Sequence, residues 1–157
     1  MRNERVESMK IVPAVVEDIP QILEIEREAI APPWSHKALL SEIIRDDSFF
    51  TVAWGEVEYN YKLLGFIILR RMGDDVELLQ IAVDRAARRC GIADLLMRAA
   101  LQFAGENALN PVFLEVRKSN DAAIMLYKKH GFKSVSIRNN YYNSPVEDAV
   151  VMARMQY

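Results

Sequence analysis

The sequence has one cysteine, Cys90, among 157 residues, and it contains no long apolar stretch. A single cysteine cannot form an internal disulfide, so we expect a protein of the reducing cytoplasm. The longest aliphatic run, LLGFIIL, is far shorter than the roughly 20 residues that span a bilayer as a helix. The N-terminal segment MRNERVESMK also lacks the apolar core of a signal peptide. The sequence therefore predicts neither a secreted nor a membrane protein.

The sequence also lacks a strong charge of either sign, since its net charge is −2 at neutral pH. Nucleic-acid-binding domains carry a basic excess, so we expect no nucleic-acid partner. The two histidines and the cysteine are too scattered for a metal site, and none is expected. There is no repeat, low-complexity tract or glycine-serine linker. We therefore expect a single domain over residues 1–157 with a flexible polar leader at 1–8, present as a monomer or weak homodimer.

What the sequence does contain is a regular succession of apolar patterns. A short strand is predicted at 9–14, followed by a helix with Asp18 as its N-cap and a second with Ser35 as its N-cap. Two more helices are predicted, one beginning near Gly91 and one ending at Gly131. Further strands are predicted at 48–54, 62–71, 76–83, 110–116, 133–142 and 147–155. These elements predict an α/β (α+β) fold with a mixed, mostly antiparallel central sheet of about six to seven strands, flanked by about four helices.

The segment Val83–Ala104 runs from a predicted strand through a short loop into a long helix. Free backbone N–H groups and the positive end of the helix dipole meet at such a junction, which is a common anion site. Gly91 would let a phosphate approach the backbone, Ala93 keeps the next position small, and Arg88 and Arg89 add positive charge. A plain turn with surface arginines explains the segment equally well. The P-loop and three-glycine dinucleotide motifs are absent, which leaves a diphosphate ligand bound without an obligatory metal.

These residues resemble a known family. In LLQIAVDRAARRCGIADLL, the residues Arg88, Gly91 and Ala93 match the three fixed positions of the coenzyme A pyrophosphate loop of the GCN5-related N-acetyltransferases, the GNAT family. The segment FLEVRKSNDAAIMLYKKHGF is similar to LEVRxSNxxAxxLYxxxGF of the bacterial ribosomal-protein-alanine N-acetyltransferases, the RimI type. PPWS and IRNNYY also resemble that subfamily. The resemblance extends over most of the chain from Met9 to Met155.

The resemblance implies the GNAT fold and an enzyme that moves the acetyl group of acetyl-CoA directly to an amine, with coenzyme A as product. The implied acceptor is the N-terminal α-amine of a protein, by family the N-terminal alanine of a small-subunit ribosomal protein. Glu115 is the implied general base and Tyr127 the implied general acid. The implied acceptor-binding residues are Trp34, Tyr141 and Tyr142. The implied coenzyme-binding residues are Ile81, Ala82, Val83, Arg88, Arg89, Cys90, Gly91, Ile92, Ala93, Asp94 and Asn120.

Most of these residues also have a plainer structural interpretation. The alternation in VFLEVRK places Glu115 and Arg117 on one strand face, where they would form a surface ion pair. Tyr127 fits a half-buried core tyrosine, and Asn120 fits the N-cap of a helix. Trp34 and the tyrosine pair could equally belong to the core.

Two other functions remain open from the residues alone. One is the same chemistry on a small amine or a lysine side chain, and the other is an acyl-CoA-binding sensor without turnover. A strongly acidic acceptor groove would favour polyamines, whereas a narrow aromatic groove would favour a peptide end. The proton transfers are also demanding, since a free α-amine titrates near ~8 and a free glutamate near ~4.3.

Overall fold

The computed structural model describes residues 6–155. Its helices are α1 (Ile19–Ala29), α2 (His36–Ile44), α3 (Ile92–Glu106) and α4 (Asp121–Lys129). Its strands are β1 (Glu7–Pro13), β2 (Ser48–Val57), β3 (Asn60–Met72), β4 (Asp75–Val83), β5 (Val112–Arg117), β6 (Lys133–Asn143) and β7 (Val146–Arg154). Every helix and strand predicted from the sequence therefore has a counterpart among the described residues.

The seven strands form one sheet in the order β1-β2-β3-β4-β5-β7-β6. Neighbouring strands are antiparallel except for β4 and β5, which run parallel. The connection between these two contains α3, because parallel neighbours need a long crossover. The predicted mixed, mostly antiparallel sheet with about four flanking helices is confirmed.

The parallel pair of β4 and β5 is short. Its backbone pairing covers 76–78 of β4 and 112–114 of β5 and stops there. The register of β4 against β3 also shifts at Leu79, which is an extra, bulged residue. The two strands therefore separate and leave an opening, the β4–β5 gap, between 79–83 of one strand and 115–117 of the other. Main-chain groups along this side of β4 are not paired with β5.

Two apolar cores lie on opposite faces of the sheet. One packs α3 and α4 onto the sheet and contains Leu96 and Phe132, and the other packs α1 and α2 and contains Ile22 and Leu39. Residues 63–69 of β3 are buried throughout, because both faces of that central strand are covered. Burying each large aliphatic or aromatic side chain stabilises the fold by about 1.5–3 kcal/mol. These cores fix the positions of the strand ends that border the β4–β5 gap.

The alternation predicted for β5 is confirmed. Val112, Leu114 and Val116 are buried and belong to the core under α3 and α4. Since successive side chains of a strand point to opposite faces, Glu115 lies on the face that carries α1 and α2. The strand thus presents its one carboxylate to the side of the sheet opposite α3.

Two of the three predicted N-caps make the expected side-chain hydrogen bond. The Ser35 Oγ accepts a hydrogen bond from the Ala38 N–H (3.1 Å), and the Asn120 Oδ1 accepts one from the Ala123 N–H (3.2 Å). Asp18 stands at the N-cap position of α1, as predicted, but its side chain makes no capping hydrogen bond to that helix. A 3₁₀ turn precedes the helix, and the Asp18 carboxylate reaches back to accept from the backbone N–H at position 15 (2.9 Å).

The turn between β2 and β3 is tighter than the sequence predicts. Glu58 and Tyr59 form a two-residue hairpin loop in which both have positive φ, at 50° and 67°. Such turns usually contain asparagine or glycine, so this pair gives no recognisable turn signal. As a consequence β2 and β3 are longer than predicted and pair as far as Val57 and Asn60.

β1 starts earlier than the sequence predicts. Glu7 and Ser8 are already part of this strand, although both fall in the predicted leader. The rest of that leader prediction, residues 1–5, lies outside the described residues. Within residues 6–155 no helix combines the length and the apolar character needed to cross a membrane.

Candidate active site

The loop before α3 has the backbone conformation that its glycine allows. Gly91 has φ +80° and Arg89 has φ +62°, both in the left-handed region that favours glycine. A Cβ added at Gly91 would meet no protein atom within 4 Å, so this residue borders open space. The Leu95 N–H donates to the Gly91 carbonyl (3.1 Å), which leaves the three preceding N–H groups without an intrahelical acceptor. This helix end can therefore bind an anion.

The side chains of the predicted coenzyme-binding segment divide into three groups. Arg88 and Arg89 are exposed next to the helix end. Ala82 and Ile92 are buried in the two cores at 6% and 1% exposure, so only their main-chain groups are available to a ligand. The half-buried members are Ile81, Val83, Cys90, Ala93 and Asp94.

The Asp94 carboxylate is used inside the protein. Its two oxygens lie 2.8 Å from the Lys129 Nζ and 2.8 Å from the His130 Nε2, at the end of α4. Hydrogen bonds from Lys129 and His130 lower the pKa of Asp94, because both stabilise its ionised form. The Asp94 side chain thus joins the start of α3 to the end of α4. The main-chain N–H of Asp94 is the group left for a ligand.

We expect Asp94→Asn to destabilise the fold by about 1 kcal/mol or less at pH 7, because the ion pair is partly solvent-exposed. The pKa of Asp94 is lower in the folded than in the unfolded chain, where it is about 3.9. The stabilising contribution is therefore complete above about pH 4 and is lost as the pH falls through the folded-state value. Urea unfolding at several pH values measures this, with Asp74→Asn in an exposed turn as the control. A difference that stayed constant down to about pH 2 would contradict the assignment.

Glu115 lies where β5 leaves β4, and its side chain is 19% exposed. The Arg138 Nε donates to its Oε1 at 2.9 Å, and the Tyr141 hydroxyl also donates to this carboxylate. That hydrogen bond is the main reason that the pKa of Tyr141 is raised to about 12. The ion pair with Arg117 suggested by the alternation is wrong, since Arg117 pairs with Glu147 at 3.3 Å. Glu115 is therefore fixed from β6 rather than from its own strand.

A second carboxylate, Glu77, lies on the same face as Glu115. Glu77 of β4 pairs directly with Phe113 of β5, and Phe113 and Glu115 point to one side of their strand. Burial and then the negative charge of Glu115 raise the pKa of Glu77, against the lowering effects of Arg70 and Arg138. Two carboxylates on one face suit a cationic amine. The described residues 6–155 contain no group of three His, Cys, Asp or Glu side chains that could hold a metal ion.

Tyr127 lies on α4 and is 7% exposed, in edge contact with Phe132 at 5.9 Å between ring centroids. Burial raises its pKa well above 10, and the nearby Tyr142 adds to this rise. The phenol is therefore protonated at neutral pH and can donate a hydrogen bond. The Asn120 Oδ1 caps the same helix, so only its NH₂ group is left to contact a ligand.

Two of the predicted acceptor-binding aromatics, Tyr141 and Tyr142, lie close to the Glu115 carboxylate. Tyr141 and Tyr142 form an edge-to-face pair at 5.1 Å, and the guanidinium of Arg117 lies 4.3 Å from the centre of the Tyr142 ring. Trp34 lies in the loop between α1 and α2, where its indole N–H donates to the Gln80 side chain of β4. Since β4 and β5 are neighbours, these rings border the same face of the sheet at the β4–β5 gap.

Comparison with known proteins decides the family. A family model described as "Acetyltransferase (GNAT) family" matches residues 19–132. This chain belongs to the GNAT family of acetyltransferases. It is 34% identical to the ribosomal protein bS18-alanine N-acetyltransferase of Escherichia coli strain K12, over 87% of this chain and 90% of that one.

Solved structures agree with this assignment to the GNAT family. The crystal structure of the ribosomal-protein-S18-alanine N-acetyltransferase from Escherichia coli superposes with a TM-score of 0.83 at 32% identity, covering 94% of this chain and 93% of that one. The Ard1 structure from Thermoplasma volcanium gives a TM-score of 0.84 at 28% identity, covering 96% and 99%. The predicted GNAT fold and the prediction of an acetyltransferase are confirmed.

The structure of this GNAT acetyltransferase brings together more than the motifs predicted. Glu115, Tyr141 and Tyr142 lie close together at the β4–β5 gap. The sequence did not predict that Glu77 lies near Glu115, because the position of a glutamate within a strand does not show which strand will be its neighbour. The Gln80 contact with Trp34 was missed for the same reason. The catalytic roles of Glu115 and Tyr127 stay predictions.

Proposed function

We propose that this acetyltransferase moves the acetyl group of acetyl-CoA to the N-terminal α-amine of a protein, with the N-terminal alanine of a ribosomal protein as the leading acceptor. The relatives named as ribosomal protein bS18-alanine N-acetyltransferases support this acceptor. The structural observation that carries the proposal is the cluster of Glu115, Arg138 and Tyr141 at the β4–β5 gap. It offers a proton acceptor and an aromatic wall at one place.

The residues around the gap fit acetyl-CoA. The N–H groups at the start of α3 and the exposed Arg88 and Arg89 would hold its pyrophosphate, next to the open space at Gly91. Unpaired main-chain groups of Ile81–Val83 would contact the amide-bearing arm and polarise the thioester carbonyl. The NH₂ group of Asn120 is a further donor. Bound acetyl-CoA supplies the thioester that the amine attacks.

The chain's own groups then handle the protons. The Glu115 carboxylate, held by Arg138 and Tyr141, accepts a proton from the acceptor ammonium, and Glu77 adds a second negative charge that attracts it. The protonated Tyr127 donates a hydrogen bond to the departing sulfur. Because burial raises the pKa of Tyr127, complete proton transfer to a thiolate near ~8.5 is uphill and follows only as the thioester bond breaks. The nitrogen loses its second proton after the C–N bond has formed, and that proton restores the phenol, so coenzyme A leaves as the thiol.

The charge balance favours a peptide end over a polyamine. Glu115 is paired with Arg138, and Arg70 is paired with Glu42 of α2, so within residues 6–155 Glu77 is the one carboxylate of the pair without an ion-pair partner of its own. A polyamine needs an excess of negative charge, whereas a single α-amine needs one carboxylate and an apolar wall. Tyr141 and Tyr142 supply that wall. A ribosomal-protein acceptor would also place the reaction in the cytoplasm, while a monomer or weak homodimer stays a prediction.

The test is a panel of acceptors incubated with acetyl-CoA and followed by mass spectrometry. It contains peptides that begin with alanine, serine or methionine, the alanine peptide with a blocked N-terminus and an internal lysine, and spermidine. We expect one acetyl group on the α-amine of the alanine peptide and none on its blocked counterpart. Acetylation of spermidine or lysine alone would contradict the proposed acceptor.

A further inference from the structure

α1 buries one carboxylate completely. Glu26 has 0% exposure and lies in the core between α1 and the sheet. Placing a carboxylate in such a site is strongly unfavourable unless its oxygens are well hydrogen-bonded. Its two oxygens meet hydrogen-bond donors from two different parts of the chain. An apolar side chain would fill this part of the core at a lower cost, so the buried carboxylate needs an explanation other than packing.

Three residues share these hydrogen bonds. The Trp34 main-chain N–H donates to the Glu26 Oε2 at 3.1 Å. With the Gln80 amide oriented to satisfy both neighbours, its nitrogen donates to the Glu26 Oε1 and its oxygen accepts from the Trp34 Nε1 at 2.8 Å. Each side-chain oxygen and nitrogen of this triad then has a hydrogen-bond partner within it. Trp34 is therefore held twice, once by its backbone and once by its indole.

The triad connects the two substrate sides of the site. Trp34 belongs to the loop between α1 and α2 that borders the acceptor face. Gln80 is 7% exposed and comes directly before Ile81–Val83, the main chain proposed to contact acetyl-CoA. A change in polarity at Glu26 would release Trp34 without removing any group that contacts the reacting atoms. The loop would then move relative to β4.

We infer that Glu26 is a positioning residue that fixes the Trp34 loop against β4 and so sets the affinity for the acceptor amine. The inference rests on the proposed function for its kinetic readout only. Glu26 is enclosed and touches neither substrate, so its effect passes through Trp34. The relevant property is that a carboxylate accepts on both oxygens, which an amide of the same shape cannot do.

Glu26→Gln tests this with almost no change in volume. The new amide oxygen at position 26 can accept from the Trp34 N–H, but its NH₂ group then faces the NH₂ group of Gln80. Rotating the Gln80 amide only moves the conflict to the Trp34 indole N–H, so one donor is always unmatched. We expect the acceptor KM to rise about 10-fold while the KM for acetyl-CoA stays unchanged. The exposed Glu24→Gln, two residues earlier on α1, is the matched control and should change neither.

The double variant Glu26→Gln with Gln80→Glu supplies the decisive comparison. The carboxylate at position 80 can accept from both the new amide at position 26 and the Trp34 indole N–H. All donors then have acceptors again, and the negative charge lies on β4 instead of α1. We expect the acceptor KM to return to within about 2-fold of its original value. A merely destabilising effect of the first substitution would not be reversed by moving a buried charge.

Trp34 fluorescence tests the triad without any turnover. In a Trp54→Phe background Trp34 is the only tryptophan, because the sequence has two. We expect its emission to shift in Glu26→Gln and to recover in the double variant. Loss of peptide acetylation in every variant would refute the proposed acceptor and leave this optical test standing. Unchanged emission in Glu26→Gln, no recovery in the double variant, or an equal rise of both KM values would overturn the positioning role.

Discussion

Glu115→Gln should lower kcat by about 10²- to 10⁴-fold, the usual effect of losing a general base. Glutamine keeps the shape of the side chain but cannot accept the proton of the acceptor ammonium. Arg138 is 59% exposed, so it can turn to solvent when its partner loses charge, and the fold should lose about 1 kcal/mol or less. Acetyl-CoA binding should be unchanged, because its proposed contacts lie on β4, on the loop before α3, at the start of α3 and at Asn120.

The rate is followed by release of the free thiol of coenzyme A, and acetyl-CoA binding is measured by calorimetry on the same samples. Glu56→Gln is the matched control, since Glu56 is also a half-buried strand glutamate but lies on β2. Retention of half or more of the activity would shift the role of base to Glu77. Loss of acetyl-CoA affinity would show that Glu115 belongs to the coenzyme side of the site.

Gly91→Val should raise the KM for acetyl-CoA about 10- to 100-fold, which corresponds to losing one or two hydrogen bonds to a charged group. At φ +80° a β-branched residue is strained, so the loop is expected to leave the conformation that presents the N–H groups of α3. The valine would also occupy the open space beside the loop. The free energy of unfolding should fall by about 1–3 kcal/mol.

Gly73→Val separates strain from ligand binding. Gly73 has φ +69° in the turn between β3 and β4, and a Cβ there also meets no protein atom within 4 Å. The two variants should therefore lose similar stability, while only Gly91→Val weakens acetyl-CoA binding. Calorimetric titration and thermal unfolding of both variants measure the two effects. Equal acetyl-CoA affinity in the two variants would show that the loop at Gly91 does not bind the pyrophosphate of acetyl-CoA.

Local patterns were enough to predict most of the secondary structure. The strands around 63–69 and 112–117 follow from runs and alternation of apolar residues, and Ser35 and Asn120 cap helices as their chemistry predicts. Gly91 marks the change from loop to α3 because a left-handed residue is needed there. These features depend on neighbours a few residues away, and a sequence shows such neighbours directly.

The parts that escaped prediction depend on pairing between distant segments. The bulge at Leu79 exists only against β3, and the partner of Glu115 is set by how β6 crosses the sheet. The burial of Glu26 could not be predicted, because nothing near it in the sequence shows that its oxygens meet Trp34 and Gln80. The residues proposed for catalysis could thus be named from motifs, whereas their hydrogen-bond partners are set by contacts that form only in the folded chain.

The short contact between β4 and β5 has a consequence for the energetics of the whole molecule. Within residues 6–155 the paired stretch of β4 and β5 is three residues long on each strand, and a hydrogen bond from the Asn110 N–H to the Asp74 carbonyl extends it at one end. A bound molecule whose amide groups form hydrogen bonds with both β4 and β5 would act as an additional stretch of strand between them. By mass action, such a molecule should raise the thermal stability of the protein as its concentration rises above its Kd.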